Sequence, residues 1–230
     1  MLIGSALFTS LRPAAESVGL RGGHLVPLRY GSVTAELALS MRSVGLVDRE
    51  DLRVARILGR ASTIDALLLD HAGCIPAPGE AVSIGDAHLG RLAEGELILA
   101  SPAEVPCRPV DGMREDIRVL PGSWQLSPLV AIGLLGPATI GLLTDLGAIG
   151  TLAWTGETGR IGVTRLDGTR VTWLLLESDR ALALVEPEAA VSIWRRLGAA
   201  GRRFGLGYVG AEAAERLELV RCRAREPSIS

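Results

Sequence analysis

The spacing of apolar and polar residues along the chain changes repeatedly between the period of a strand and that of a helix. Leu52–Leu58 alternates apolar with charged residues, as a strand with one buried face does. Thr34–Ser43 instead carries Leu37 and Met41 at a helical spacing, and Gly45 ends that pattern. These two neighbouring segments therefore predict a helix followed by a strand.

The same signals extend along the rest of the chain. Ser62, three residues before Asp65, predicts the N-cap of a helix over Ile64–Leu69, and Asp167-Gly168 predicts a hairpin turn. Further predicted strands are Ala87–Leu92, Glu96–Ala100, Ile117–Leu120, Leu129–Leu135, Arg160–Leu166, Arg170–Leu176 and Leu182–Val185; further predicted helices are Ala138–Leu146, Pro187–Ala200 and one that begins at Glu212. Hairpins mixed with helices predict an α+β fold, with mixed or antiparallel sheets covered by helices.

One stretch, Val119–Thr144, carries no charged residue and is long enough to cross a bilayer. Gly136-Pro137 divides its apolar part into Leu129–Leu135 and Ala138–Leu146, and the proline stands where a helix over the second part would begin. This punctuation favours a buried strand followed by a helix, so no membrane association is expected.

Composition narrows the class of protein. The 230 residues are 48% apolar and 22% charged, and the net charge of −2 provides no field that would attract nucleic acid. All 24 cationic side chains are arginine. Cys74, Cys107 and Cys222 lie far apart with no zinc-ligand spacing, which predicts no metal site and a reducing, cytoplasmic setting.

Two patterns suggest chemistry. Gly205–Gly210 matches the glycine fingerprint of dinucleotide-binding proteins, but it follows a helix instead of a strand, so a loop between helices is the expected structure. If Asp86–Leu89 is extended, Asp86 and His88 project to one face, as an acid/base pair or as a simple ion pair.

Several segments resemble the aminomethyltransferase family, the T-protein of the glycine cleavage system and its folate-binding relatives. The similar motifs, in the order of the family, are Val26-Pro27-Leu28-Arg29-Tyr30, Gly45-Leu46-Val47-Asp48, Leu134-Leu135-Gly136-Pro137-Ala138, Ile193-Trp194-Arg195-Arg196-Leu197 and Arg216-Leu217-Glu218. They spread from Val26 to Val220. The resemblance implies two intertwined lobes around a central cavity, over residues 1–118 and 119–224, with residues 225–230 as a tail.

The resemblance also implies a tetrahydrofolate cofactor and one-carbon transfer with a small-molecule donor or acceptor. Asp86 falls on the family's acidic pair, beside the reacting nitrogen, and His88 is its neighbour. The expected cofactor-binding residues are Tyr30, Ser101, Glu177, Asp179 and Arg216. Glu177 or Asp179 would supply the carboxylate facing the pteridine, although Trp154-Thr155-Gly156-Glu157 carries the letters of the family motif at an earlier position.

Complete members of the family continue into a C-terminal barrel after the last matched motif, and this sequence stops near that point. Two alternatives therefore remain beside the transferase. The chain is a non-catalytic subunit or scaffold whose protein partner supplies the missing barrel, or it is an enzyme that uses Asp86 and His88 in the same cavity for acid/base chemistry.

Overall fold

Eight strands close into a barrel in the computed structural model of the chain, which describes residues 3–4, 6–103, 111–113, 115–116, 124–152 and 159–225. The order around the barrel is β12-β11-β10-β6-β7-β8-β5-β9, and β9 pairs with β12 to complete the ring. All of these pairings are antiparallel. Two more strands, β4 and β13, extend the sheet from β9, and β1, β3 and β2 form a separate sheet.

The described strands are β1 Ile3–Gly4, β2 Ser17–Arg21, β3 His24–Arg29, β4 Gly45–Asp48, β5 Leu52–Gly59, β6 Glu80–Ile84, β7 Ala87–Ala93, β8 Glu96–Pro102, β9 Trp124–Leu135, β10 Gly159–Leu166, β11 Thr169–Glu177, β12 Arg180–Val185 and β13 Gly207–Tyr208. The α-helices for which the structure describes the bounds are α1 Phe8–Leu11, α2 Val33–Arg42, α3 Ala61–Ala72, α4 Thr139–Asp145, α5 Ile149–Leu152, α6 Ala190–Gly201 and α7 Ala211–Arg225.

Apolar side chains cover both faces of the barrel wall, which explains why its strands are so apolar. Alternate residues of β8 belong to different clusters: Ile98 and Ala100 pack with Leu174 and Leu182 inside the barrel, whereas Leu97 and Leu99 pack outward with residues of α3. Helices α4 and α6 cover the opposite outer side through a third cluster, which contains Trp173. The interior of the barrel is therefore a packed apolar core.

The α+β prediction is confirmed, and the structure adds the barrel, which no local pattern indicated. The uncharged stretch contains the whole of β9 and then most of α4, as its punctuation suggested. Within the described residues, no helix is long and apolar enough to cross a membrane. Asp167 and Gly168 both have positive φ, 50° and 83°, as the predicted hairpin turn between β10 and β11 requires.

Some details differ from the sequence predictions. Helix α3 begins at Ala61 with Arg60 as its N-cap, so the prediction that Ser62 caps it was wrong. Met41, assigned to the apolar face of α2, is 68% exposed. The predicted strand Ile117–Leu120 lies outside the described residues, as do 226–230 of the predicted tail. Strands from residues 1–118 (β5 to β8) form one contiguous half of the barrel and strands from 119–224 (β9 to β12) form the other, and the boundary between the two lobes stays a prediction.

Glu36 is a buried glutamate that connects α2 to two other segments of the fold. Its carboxylate is 5% exposed and accepts hydrogen bonds from the backbone N–H groups of Tyr30, Gly31 and Gly210, at 2.7 to 2.9 Å. Gly210 is 174 residues away in sequence. One carboxylate therefore ties the end of β3 to the loop before α7, and burial of this charge determines which face of α2 points inward.

We expect Glu36→Ala to lower the free energy of unfolding by about 3 kcal/mol, because three buried backbone donors lose an ionised acceptor. Urea denaturation measures this loss, and Glu188→Ala, at an exposed glutamate, is the matched control. A loss for Glu36→Ala no larger than that of the control would contradict the clamp.

Candidate functional site

A cavity of about 360 Å³ opens at one end of the barrel, and we call it the barrel-mouth cavity. Its volume lies within the range of roughly 300 to 1,000 Å³ typical of small-molecule sites. Leu52, Leu176 and Leu182, which continue the apolar interior, form part of its lining. The other described lining residues are Ser83, Gly85, Asp86, His88, Pro102, Arg180, Arg49 and Glu218. Ionisable groups therefore lie directly above an apolar core.

The hairpin of β6 and β7 brings Asp86 and His88 to this cavity. Ile84 pairs with Ala87, so Gly85 and Asp86 form a two-residue turn, and Gly85 has the positive φ of 58° that such a turn demands. Asp86 is thus in the turn and exposed, and the premise of an extended Asp86–Leu89 was wrong for its first residue. Both side chains nevertheless line one cavity.

His88 occupies a position where a charged imidazole is disfavoured. It lies on the same face of β7 as Gly90 and Leu92, pointing into the barrel, and its Nδ1 shares a hydrogen bond of 2.9 Å with Ser83 Oγ. Burial, and then the positive charges of Arg180 and Arg49, lower the pKa of His88 to about 4. The side chain is therefore a neutral imidazole at pH 7, able to accept a proton or to act as a hydrogen-bond partner.

Arg49 holds the side of the cavity next to α7. Its guanidinium donates to both carboxylate oxygens of Asp51 at 2.8 Å and to Glu218 Oε1 at 2.7 Å. Burial would lower the pKa of Arg49, but these two carboxylates outweigh burial and raise it above its ordinary value. Gly133 leaves room for this side chain, since a Cβ there would lie 3.1 Å from Arg49 Cγ. The arginine thus stays charged and fixed.

Glu177 and Asp179 lie near the cavity, at the connection between β11 and β12. Glu177 forms an ion pair of 3.3 Å with Arg180, which lines the cavity. The backbone carbonyl of Asp179 accepts a hydrogen bond from Gly136 N. Neither carboxylate is among the described lining residues, so their role toward a pteridine stays a prediction.

The other three predicted cofactor-binding residues lie elsewhere. Tyr30 packs against Tyr208 with ring centroids 5.3 Å apart, and burial, with Asp48, Tyr208 and Glu36 as further causes, raises its pKa. Ser101 is buried in β8, next to the cavity residue Pro102. Arg216 is exposed on α7, two residues before Glu218. The structure therefore brings Asp86 and His88 together but not these three residues.

The glycine fingerprint has a structural role. Gly207 begins the two-residue strand β13, which pairs in parallel with β4, and a Cβ on Gly210 would lie 2.1 Å from Leu28 O. The segment follows α6 and a 3₁₀ turn, and the predicted loop between helices contains the short strand β13. Among the residues that the structure describes, no group of histidine, cysteine and acidic side chains is placed to hold a metal ion.

Sequence reasoning missed Arg49, Arg180 and Glu218 as cavity residues. Arg49 directly follows the matched Gly45–Asp48 motif, and Glu218 stands inside the last one, so proximity to these motifs was the available signal. Arg180 had no such signal, because it is the first residue of β12, and its place in the same cavity as His88 of β7 depends on the closure of the barrel.

Comparison with known proteins agrees with the barrel and its covering helices. No family model matches the chain, and no curated protein matches it in sequence. The glycine cleavage system aminomethyltransferase T of Bartonella henselae superimposes with a TM-score of 0.68 and 19% identity, over 93% of this chain and 61% of that one. A chain of heterotetrameric sarcosine oxidase from a Corynebacterium species gives 0.56 and 18%, over 77% and 94%.

The chain therefore has an aminomethyltransferase-like fold, and the resemblance inferred from the motifs is confirmed at the level of fold. It spans 61% of the length of the Bartonella enzyme.

We expect protonation of His88 to destabilise the fold in acid. Its pKa is lowered from 6.5 to about 4 in the folded state, so the unfolded chain binds the proton first as the pH falls. The free energy of unfolding should therefore be unaffected by this group above pH 6.5 and fall by up to about 3 kcal/mol between pH 6.5 and 4.

Urea denaturation over that pH range measures the effect, with His88→Gln as the reference that cannot titrate. Equal pH slopes for the two proteins would show that His88 titrates normally.

Replacing Arg49 tests the buried ion network. Arg49→Met should lower the free energy of unfolding by about 2 kcal/mol or more, since Asp51 and Glu218 would face each other without a cation. Denaturation midpoints measure the loss, and Arg42→Met at an exposed position provides the control. A neutral effect at Arg49 would mean that the network adds no net stability.

Proposed function

We propose that this chain binds tetrahydrofolate in the barrel-mouth cavity and takes part in one-carbon transfer. The observation that carries the proposal is that Asp86 and His88 line the same cavity, which has a volume of about 360 Å³ and an apolar floor. The aminomethyltransferase-like fold supports it independently, because the Bartonella neighbour is an aminomethyltransferase.

The lining has the chemistry that a reduced pterin requires. Leu52, Leu176 and Leu182 offer an apolar surface for the flat ring system, and Asp86 offers a carboxylate beside its reacting amine. Glu177 or Asp179, at the connection between β11 and β12, is the proposed acceptor for the N–H donors of the pteridine. Glu218 is a second carboxylate at the cavity, although one oxygen already accepts from Arg49. Bound tetrahydrofolate would supply amine nitrogens that carry a one-carbon unit.

Within this proposal, Asp86 orients the reacting amine and stabilises positive charge that develops next to it. Its position in an exposed turn keeps the carboxylate accessible to solvent and to an incoming small-molecule donor or acceptor. His88 is neutral at pH 7 and held by Ser83, so it neither neutralises Asp86 nor adds charge near the developing cation.

Isothermal titration with tetrahydrofolate tests the proposal. Wild-type protein should bind one equivalent, and Asp86→Asn should weaken binding at least about tenfold, because an amide loses the charged acceptor. Asp70→Asn, at an exposed position of α3, should bind like wild type. The absence of binding, or equal affinities for the two variants, would refute the proposal.

A second candidate function is that of a non-catalytic subunit in a complex. The chain matches 94% of its neighbour from an oxidase that is itself heterotetrameric. Val18 and Leu20, 40% and 47% exposed on β2 at one side of the three-stranded sheet, are consistent with a protein contact. This function predicts co-purification with a partner and would be contradicted by a monomer that turns over alone.

A third candidate is an enzyme that uses Asp86 and His88 of the same cavity as an acid/base pair for other chemistry, because both residues line the cavity and the lowered pKa of His88 keeps it unprotonated at neutral pH. It predicts a bell-shaped pH profile of kcat/KM that is lost in His88→Ala. Folate-dependent turnover retained in that variant would favour the first function instead.

A further inference from the structure

A second cavity, of about 530 Å³, lies beside the barrel under the hairpin of β2 and β3, and we call it the hairpin cavity. Among the described lining residues, the two cavities have Leu52 alone in common. The hairpin cavity is therefore a separate site, and it plays no part in the function proposed above.

The cavity originates where β9 changes partners. Residues Trp124–Leu129 of β9 pair with β5, and from Val130 onward the strand pairs with β12 and later β4. The divergence of β4 and β5 leaves a wedge beside the barrel wall. Val54 and Ala55 of β5, with Leu129 and Val130 of β9, line this wedge.

The β2–β3 hairpin forms the roof through a close contact at its turn. Gly22 has a φ of +59°, and a Cβ there would lie 2.9 Å from both Ala103 Cβ and Glu50 O. Ala103 N in turn donates to Asp51 O at 2.8 Å. These contacts hold the hairpin against the β4–β5 turn, so the cavity is built into the described fold.

The lining divides into an apolar wall and a polar end. Pro128 and Pro187 add to the apolar wall described above, whereas His24 and Glu50 stand together at the hairpin side. Glu50 is half-buried, and its Oε1 accepts from Ala6 N at 3.1 Å. His24 Nδ1 is buried and has no hydrogen-bond partner among the described residues. Because that nitrogen has almost no accessible surface, a molecule in the cavity does not reach it, and Glu50 is the polar group left to contact a ligand.

These features define the chemistry of the ligand. The carboxylate of Glu50 accepts hydrogen bonds only and repels anions, so the ligand must present a donor and carry no negative charge. The apolar wall requires an apolar body, and the volume matches a molecule of two or three fused or linked rings. Arg53 is exposed at the rim, where solvent screens its attraction for an anion.

We propose that the hairpin cavity binds an uncharged small molecule with an apolar ring-sized body and a single hydroxyl or amine donor, which points toward Glu50.

Two fluorescent probes with one skeleton test this specificity. N-phenylnaphthylamine is neutral and has one N–H donor, and anilinonaphthalene sulfonate is the same ring system with an added sulfonate. We expect the neutral probe to bind saturably to the full chain, one per molecule, and at least about tenfold more tightly than the sulfonate. Glu50→Gln should reduce this ratio, since it removes the repulsion while retaining an acceptor for Ala6 N.

Substitutions locate the bound probe. Ala55→Phe fills the wedge and should weaken the neutral probe at least about tenfold, whereas Ala93→Phe, at an exposed strand position, should not. Ala6→Trp at the exposed rim is a second blocking variant that leaves the core intact. Circular dichroism and urea midpoints verify that each variant is folded.

The proposal fails if the neutral probe does not saturate, if both blocking variants bind it as wild type does, or if the sulfonate binds equally well. Loss of probe binding in His88→Phe, with retention in Ala55→Phe, would place the probe in the barrel-mouth cavity and would also overturn it. None of these outcomes depends on tetrahydrofolate, so the proposed function is tested separately.

Discussion

The pairing of β9 with three other strands is the constraint on which the rest of the structure depends. Its first half pairs with β5, and its second half is hydrogen-bonded on one edge to β12 and on the other to β4. Pairing with β12 converts an open sheet into a closed barrel and removes two edges that would otherwise expose unpaired backbone groups. Both cavities follow from this strand. One is the mouth of the barrel that it closes, and the other is the wedge at its change of partner.

Barrel closure also explains the chemistry of the barrel-mouth cavity. The interior of a small barrel is filled by side chains, here mainly apolar ones, and a polar group is tolerated only at an end. His88 stands at that end, on the inward face of β7, with Arg180 and Arg49 near enough to oppose its protonation. The same location makes the imidazole neutral and leaves Asp86 in solvent. Two ionisable groups two residues apart therefore experience different electrostatic environments.

Part of the fold was predictable because its signals are local. The hairpin at Asp167-Gly168 and the strand β5 depend on a few adjacent residues, and both elements agree with the structure. The single buried face predicted for β5 was wrong, because Val54 packs inside the barrel and Ile57 packs outside against α3. The inner face of α2 was not predictable in this way. Glu36 and Ser40 are buried there, while Met41 is exposed. The backbone N–H groups of Tyr30, Gly31 and Gly210 all donate to the Glu36 carboxylate, so the side of the helix that carries Glu36 is the one that packs inward. Hydrophobic periodicity cannot detect a burial that hydrogen bonds determine.

The same distinction between local signals and distant contacts applies to the candidate site. The sequence by itself predicted β5, β7 to β12 and the helices α2, α3, α4, α6 and α7 in their order, but not the strands β2, β3 and β6. It singled out Asp86 through motifs resembling a known family and His88 through its spacing from Asp86. Only the tertiary structure decided that eight strands close into a barrel, that Arg49 is held by Glu218 from 169 residues away, and that His88 is neutral. The physical reason is range. Turn and periodicity signals act over a few residues, whereas the burial and pairing of a charge depend on which distant strands and helices become its neighbours.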